Sequence, residues 1–299
     1  MGRCARGTLR VGNIGAMSRF VDRLRRELNA LRPAPKLPPL PALSDCRADT
    51  PVPFRCNLCG TLNVVAFGEL RRDSPSCRRC GSTVRFRSIG RLVARELFGA
   101  DLALPDLPRR PDVRGLGLSD VHAYAKPLAR RLDYENTFFD RAPRLDITAI
   151  DDARAGRYHF VIASDVFEHV LAPVSRAFVN ARRLLKAAGV FVLTVPFGTE
   201  GPTREHFPDL HDWRIEGRGD ERVLVNRTAD GREQRFPNPC FHGGSGSTLE
   251  MRLFSRDDLL RELRDAGFAH ARIADEAYLP FGIVWPEPWS TPIVARASA

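Results

Sequence analysis

Apolar and polar residues alternate along this chain with two different periods. Phe20, Val21, Leu24, Leu28 and Leu31 recur at helical spacing behind Ser18, predicting a helix over 17–31. Ile89, Leu92, Val93 and Leu97 form a similar stripe within 82–98. From residue 113 onward, short apolar runs take turns with amphipathic stretches. The runs at 113–118, 134–139, 158–163 and 190–195 predict strands, and 121–132 and 174–186 predict helices. Ser255 caps a further amphipathic helix closed by Gly267, and strand-like runs follow at 270–274 and 293–297. Strands separated by helices predict an α/β fold, with a mostly parallel sheet covered by helices on both faces. The proline-rich segment 33–45 predicts a stiff linker, and LPDLPRRPD at 104–112 predicts a second loop.

Ahead of the alternating region, cysteines set a different pattern. Cys56-x2-Cys59 and Cys77-x2-Cys80 each end in glycine, as CNLCG and CRRCG. Two cysteines three apart on a tight turn point both thiolates at one ion, and the glycine lets the turn close. Four thiolates at about 2.3 Å complete a tetrahedral Zn²⁺ shell and leave no open position. The expectation is a small zinc-ribbon-like module with a structural ion; a rubredoxin-like iron site and chance pairs of buried thiols are the other readings. Cys4, Cys46 and Cys240 have no partner pattern.

Composition narrows the class. The chain has 299 residues, 43% of them hydrophobic and 27% charged, enough for a real core of one large or two ordinary domains. Wholesale disorder and a disulfide-built miniprotein are excluded. No run of 18 apolar residues suggests a membrane span, and the basic N-terminus has no continuous apolar segment of a secretory leader. With paired free thiols, this predicts a cytoplasmic protein. The formal charge is +10, and its excess is N-terminal: residues 1–110 carry 21 basic and 9 acidic side chains. Such a surplus invites nucleic acid. However, only three of the 46 basic residues are lysine, which fits codon bias as well as phosphate recognition.

Two segments carry candidate chemistry. VRGLGLSD at 113–120 places Gly115 and Gly117 between a strand and a helix, where backbone approaches a nucleotide closely. It lacks the third glycine of a dinucleotide site and has no Walker lysine. YHFVIASDVFEHV at 158–170 runs from a buried strand into Asp165, then Glu168 and His169. In an open α/β sheet, ligands bind beyond the carboxyl ends of the strands, where Asp165 falls. Followed by RRLLKAAGVFVLTVPF, this stretch resembles the D-x-x-E-H-V and "LLKPGG" signature of class I S-adenosylmethionine-dependent methyltransferases, with Ala187 and Ala188 where Pro and Gly are usual. The resemblance covers 111–299.

It implies a Rossmann-like domain with the cofactor's methionine part against Gly115 and Gly117. Asp140, or Glu135 as second choice, would hold the ribose. Asp146 would reach the adenine amine, and Asp165 would lie near the cofactor. Each has a plainer alternative: Asp146 as a turn cap, Asp165 as a helix cap, Glu168 and His169 as loop ties. The organisation expected is a helix and linker over 1–50, a four-cysteine module plus helix over 51–110, and a methyltransferase domain over 111–299. A substrate-side insert at 198–252 contributes Glu205, His206, His211, Asp212 and His242. His206 and His211, with His169, are the candidate bases for an oxygen or nitrogen acceptor, a small molecule or saccharide. Phe281 to Pro292 offers an aromatic wall or plain core packing. Two rivals remain: an RNA methyltransferase that uses the basic module, though no aromatic-basic stacking platform is evident, and a non-catalytic zinc-bearing interaction protein. Oligomeric state is not legible.

Overall fold

The computed structural model describes residues 36–242, 248–289 and 291–298. The helix predicted at 17–31, with Ser18 and Cys4, lies outside them, as does the His242 side chain. A two-stranded antiparallel ribbon, β1 (Pro51–Arg55) and β2 (Leu62–Ala66), opens the described chain. Helix α1 (Val84–Phe98) follows, its N-terminus capped by the Thr83 hydroxyl and its C-terminus closed by left-handed Gly99.

The body is a six-stranded sheet. Its strands are β3 (Arg110–Leu118), β4 (Leu132–Thr137), β5 (Tyr158–Ser164), β6 (Leu185–Thr194) and, after the insert, β15 (Phe268–Ile273) and β16 (Ile293–Ala297). The spatial order is β15-β16-β6-β5-β3-β4, and only β16 runs against the rest. This is the mostly parallel, Rossmann-like α/β sheet that the rhythm predicts. The chain leaves β3 toward β4, then returns to place β5 on the other side of β3. The carboxyl ends of β3 and β5 therefore flank the topological switch point, where such sheets hold ligands.

Side chains alternate across the sheet because the strand period is two. Phe160, Ile162, Val190, Val192 and Val294 face α1 and α2 (His122–Ala129). Val161, Ala163, Phe191, Leu193 and Ala295 face α3 (Ser175–Leu184) and α4 (Arg256–Asp265). The Ser255 cap and left-handed Gly267 bound α4 as expected. The KAAG turn differs from expectation. Leu184 ends α3 and Leu185 already pairs with Tyr158, so 186–189 become an irregularity within β6, with Ala188 left-handed at φ 56°. Both leucines are buried, so the chain turns extended as soon as the helix has delivered them.

The expected boundary at residue 110 does not separate two cores. Val52, Phe54, Cys56 and Leu58 of the cysteine module pack in one cluster with Tyr124, Phe160, Val192 and Phe281. Gly282 is left-handed, and any side chain there would strike the Phe54 ring. Phe281 and Ile283 are thus core packing rather than an exposed wall, while Trp289 is exposed. The insert carries its own strands: β7 (Phe197–Gly198), β8 (Arg204–Glu205), β9 (Asp212–Glu216), β10 (Val223–Arg227), β11 (Glu233–Pro237), β12 (Phe241–His242), β13 (Thr248–Leu249) and β14 (Arg252–Ser255). β9, β10 and β11 form a meander, and β14 ties the insert back to β7 and β8. No helix among the described residues is long and apolar enough to cross a membrane.

A single shared core makes one prediction. Phe54→Ala should destabilise the whole chain by about 3–5 kcal/mol, the usual cost of emptying a buried aromatic site. In urea, tryptophan fluorescence and far-UV dichroism should still fall in one coincident transition. Two separated transitions would mean the module folds independently.

Candidate functional site

Polar residues gather at the carboxyl edge of β3 and β5. Ser119 follows β3 at φ 58° and Asp165 follows β5 at φ 53°, both left-handed and neither glycine. Such residues cost backbone energy and persist where the surroundings over-determine them, often at functional sites. Asp165 accepts two bonds from the Arg72 guanidinium, at 2.7 and 3.1 Å, and one from the Thr194 hydroxyl at 2.9 Å. Arg85 lies 3.1 Å from the same carboxylate and donates to the Ser164 hydroxyl at 2.6 Å. Burial alone would raise the Asp165 pKa, but Arg85 and Arg72 together hold it below its ordinary value. Both arginines come from the cysteine module and the first turn of α1.

The glycines serve the fold. A Cβ on Gly115 would collide with the Phe160 ring, and one on Gly117 with the Tyr134 hydroxyl and the Asp120 carboxylate. The space a side chain would take at each is filled by this chain's own side chains. Asp120 is fully buried, taking bonds from the Tyr124 hydroxyl at 2.7 Å and from Tyr134. Its backbone is locked on both sides by Asn136, at 2.9 and 2.8 Å. Burial pushes the Asp120 carboxyl up to about 7, against the pull of the two tyrosines and Arg85.

The remaining acids divide. Asp146 uses Oδ1 to hold the Thr148 amide at 2.8 Å and hydroxyl at 2.7 Å, a turn cap on the same side of β4. Asp140 is exposed, with its carboxylate 3.8 Å from Arg141. Glu135 points back toward the start of β5, in a two-pronged bond with Arg154 at 3.0 Å and beside the Tyr158 hydroxyl. Glu135 thus faces away from the carboxyl edge, and Asp140 stands on the exposed segment just past the end of β4. The segment after β4 makes a single bridge, Phe138 to Arg144, so β4 is the last strand on that side among the described residues.

The insert meets the EHV turn. Met251 donates to the Glu168 carbonyl at 2.8 Å, and fully buried Arg252 donates to the Phe167 and Val170 carbonyls. His169 bonds the Leu249 carbonyl through Nδ1 at 2.9 Å, a loop tie. Glu168 is wholly buried, its carboxyl oxygens without a hydrogen-bond partner and Oε1 3.8 Å from His169 Nε2. Burial and the Asp165 and Glu250 charges push its pKa well above the usual range. Beyond it, His206 Nε2 stands 2.7 Å from Glu250 Oε1. His211 and Asp212 are exposed, and Glu205 pairs with Arg252 at 2.7 Å.

Cys56, Cys59, Cys77 and Cys80 bring their sulfurs within 4.8 Å of one another, with Cys56–Cys80 and Cys59–Cys77 at 3.6 Å. The edge of a tetrahedral four-thiolate site at ordinary zinc–sulfur distances is about 3.8 Å, so this donor set fits a metal ion. The Ser82 hydroxyl lies 3.2 Å from the Cys56 sulfur. Arg87, also wholly buried, lies close enough for all four sulfurs to oppose the effect of burial on its charge.

The sequence matches no family model and no curated protein. Its structure is similar to solved methyltransferases. One is the 1,6-didemethyltoxoflavin N1-methyltransferase of Burkholderia thailandensis (14% identity, 72% of this chain, 78% of that one, TM-score 0.41). Another is a sugar N-methyltransferase of Streptoalloteichus (16%, 74%, 89%, TM-score 0.42). A third is an amino pentose methyltransferase of Micromonospora echinaspora (17%, 72%, 90%, TM-score 0.38). At these identities and scores the similarity is one of architecture alone.

Four participants escape a reading of the sequence. Asp120 follows the glycine turn directly, which is a local signal. Glu250 sits two residues from Arg252 without any motif. Arg72 and Arg85 are indistinguishable from the surrounding arginine surplus.

Asp120→Asn tests the buried acid. The folded pKa of about 7 exceeds the ordinary 3.8, so the folded protein keeps this proton to higher pH than the unfolded chain. Wild type therefore loses stability as pH rises between those two values, and the variant is spared that loss. The melting midpoint of the variant minus that of wild type should grow from about pH 4 to about pH 8 in calorimetry. A constant difference would show that Asp120 does not titrate in this window.

Proposed function

We propose that this chain is an S-adenosylmethionine-dependent methyltransferase acting on an oxygen or nitrogen of a small molecule or saccharide. One observation carries the reading. At the switch point, two non-glycine residues, Ser119 and Asp165, are held left-handed on adjacent strand ends, Ser119 closing the glycine turn and Asp165 opening the segment that bears the D-x-x-E-H-V resemblance. The fit to the cofactor is partial. Asp146, whose Oδ2 is outside the turn cap, would take the adenine amine, and the Ser119 turn and Asp165 edge would take the amino-acid end. Gly115 and Gly117 would not contact it directly, and Asp140 would not hold the ribose.

When bound, the cofactor supplies an electrophilic methyl group. The chain's work is then alignment and proton removal. His206 would take the acceptor's proton at Nδ1 while Glu250, at its Nε2, fixes the ring and offsets the charge it gains. His211 is too exposed to be oriented in this way. The four cysteines would hold a structural zinc ion, its shell complete.

Among the described residues, part of the arginine surplus is turned inward, which supports this reading over an RNA substrate. Arg55, Arg72, Arg87, Arg91 and Arg110 are all buried. Four of them pair with acids inside the fold, Arg55 with Asp106, Arg72 with Asp165, Arg91 with Asp101 and Arg110 with Asp112. Arginines spent on internal pairs are not displayed to a phosphate backbone. The filled faces of Gly115 and Gly117 are the observation that favours a non-catalytic protein, and one experiment separates the two.

Calorimetric titration with S-adenosylhomocysteine should give micromolar binding, weakened at least about tenfold by Asp146→Ala, the loss expected of one hydrogen bond to a buried ligand. No binding to folded, metal-loaded protein would leave the non-catalytic reading. His206→Ala should leave that affinity unchanged and lower turnover by about 10²-fold or more. Elemental analysis should find one zinc per chain in wild type and little in Cys77→Ser.

A further inference from the structure

The cysteine module does more than pack against the sheet. The loop between Cys59 and Cys77 carries Arg72, which leaves the module to bind Asp165 at the switch point through two bonds. The Arg72 side chain is 9% exposed and the Asp165 side chain 24%, so little solvent screens the pair. A continuous set of contacts runs from the sulfurs to this pair. Ser82 touches the Cys56 sulfur at 3.2 Å, and its carbonyl takes the Ser76 and Cys77 amides at 3.1 and 3.3 Å. Arg87 of the first turn of α1 donates to the Ser82 carbonyl at 2.8 Å. The Arg85 amide, on the same turn, donates to the Arg72 carbonyl at 3.1 Å, while the Arg85 side chain reaches Ser164, Asp165 and Asp73. The loop thus has two anchors, the sulfur cluster at its base and Asp165 at its tip.

We propose that the four-cysteine metal site and the switch-point edge are thermodynamically coupled, with Arg72 as the positioning residue that joins them. An ion in the cluster fixes the base of the loop and so fixes the guanidinium that holds Asp165 in its left-handed, ionised state. Coupling is reciprocal: whatever steadies Asp165 must also tighten binding of the ion. A loop held only by its cysteines would show no such dependence. The proposal rests on the methyltransferase reading only for the identity of the ligand at the edge.

The test measures the zinc affinity of the full chain by equilibrium competition with a chromogenic chelator, with no cofactor present. Asp165→Asn changes no cysteine and no residue of the loop. It should weaken zinc binding about fivefold or more, the lower end of coupling between linked sites. Arg72→Gln should do the same, and the double variant should add little to either, since both remove one interaction. Arg72→Lys keeps the charge without the two-pronged geometry and should fall between wild type and Arg72→Gln, which preserves a measurement if the glutamine variant folds poorly. Zinc affinity unchanged by Asp165→Asn, or additive losses in the double variant, would overturn the coupling.

A second arm adds S-adenosylhomocysteine, which should tighten zinc binding in wild type and much less in Arg72→Gln. Ligand that binds calorimetrically yet leaves wild-type zinc affinity unchanged would overturn the coupling. Ligand that does not bind at all would count against the methyltransferase reading instead, and the cofactor-free arm would still decide the coupling.

Discussion

Arg87 carries a full positive charge with no exposure to solvent. Burial lowers its pKa to about 10, which leaves it charged near neutrality. It lies 4.6 Å over the Phe54 ring and donates to the Ser82 and Gly282 carbonyls, each at 2.8 Å. These neutral acceptors satisfy hydrogen bonds but not charge, and an uncompensated buried charge is destabilising by several kcal/mol. The four sulfurs beside it supply the answer. Four thiolates around a divalent ion have a net charge of about −2, spread over a cluster that a buried guanidinium can offset. Arg87 thereby joins three parts of the chain: the cysteine module, the start of α1, and the 279–283 turn that packs on the sheet.

Once the start of α1 is fixed, the polar edge follows from it. The Thr83 hydroxyl caps the helix by accepting from the Phe86 amide, which sets the direction in which Arg85 leaves the first turn. Arg85 and Arg72 then meet Asp165, and their charges are what keep a nearly buried carboxylate ionised. A short distance away the same burial has the opposite result. Asp120 and Glu168 have no guanidinium in bonding contact and are pushed toward the neutral form. The edge therefore holds carboxyl groups whose pKa values are moved in opposite directions, set by which of them an arginine can reach.

Much of this was legible from residue order, for physical reasons. Strands buried on both faces must read as continuous apolar runs, so 158–163 and 190–195 were visible. Helix caps are local, so Ser255 and Gly267 were visible too. Cysteine pairs three apart announce their own geometry. Ligand-facing acids were harder, because an acid's role depends on what stands across from it. Glu135 and Asp140 lie in one short segment, yet one is bound to Arg154 and the other is exposed. Gly117 looked like a cradle, but its missing side chain makes room for Tyr134 and Asp120. The Arg72–Asp165 pair spans 93 residues and had no signal in an arginine-rich background. The His206–Glu250 pair likewise joins two ends of a long insert.

The shared core has a consequence at the level of the cell. Val52, Phe54 and Cys56 belong to the same cluster as Phe160 and Val192, so the cysteine module cannot come undone without exposing one face of the sheet. An ion that binds only the folded chain then stabilises the entire molecule by mass action, by about 1.4 kcal/mol for each tenfold rise in free ion above the dissociation constant. Were the four sulfurs to hold an ion, the folded fraction, and with it resistance to proteolysis, would be a function of metal supply.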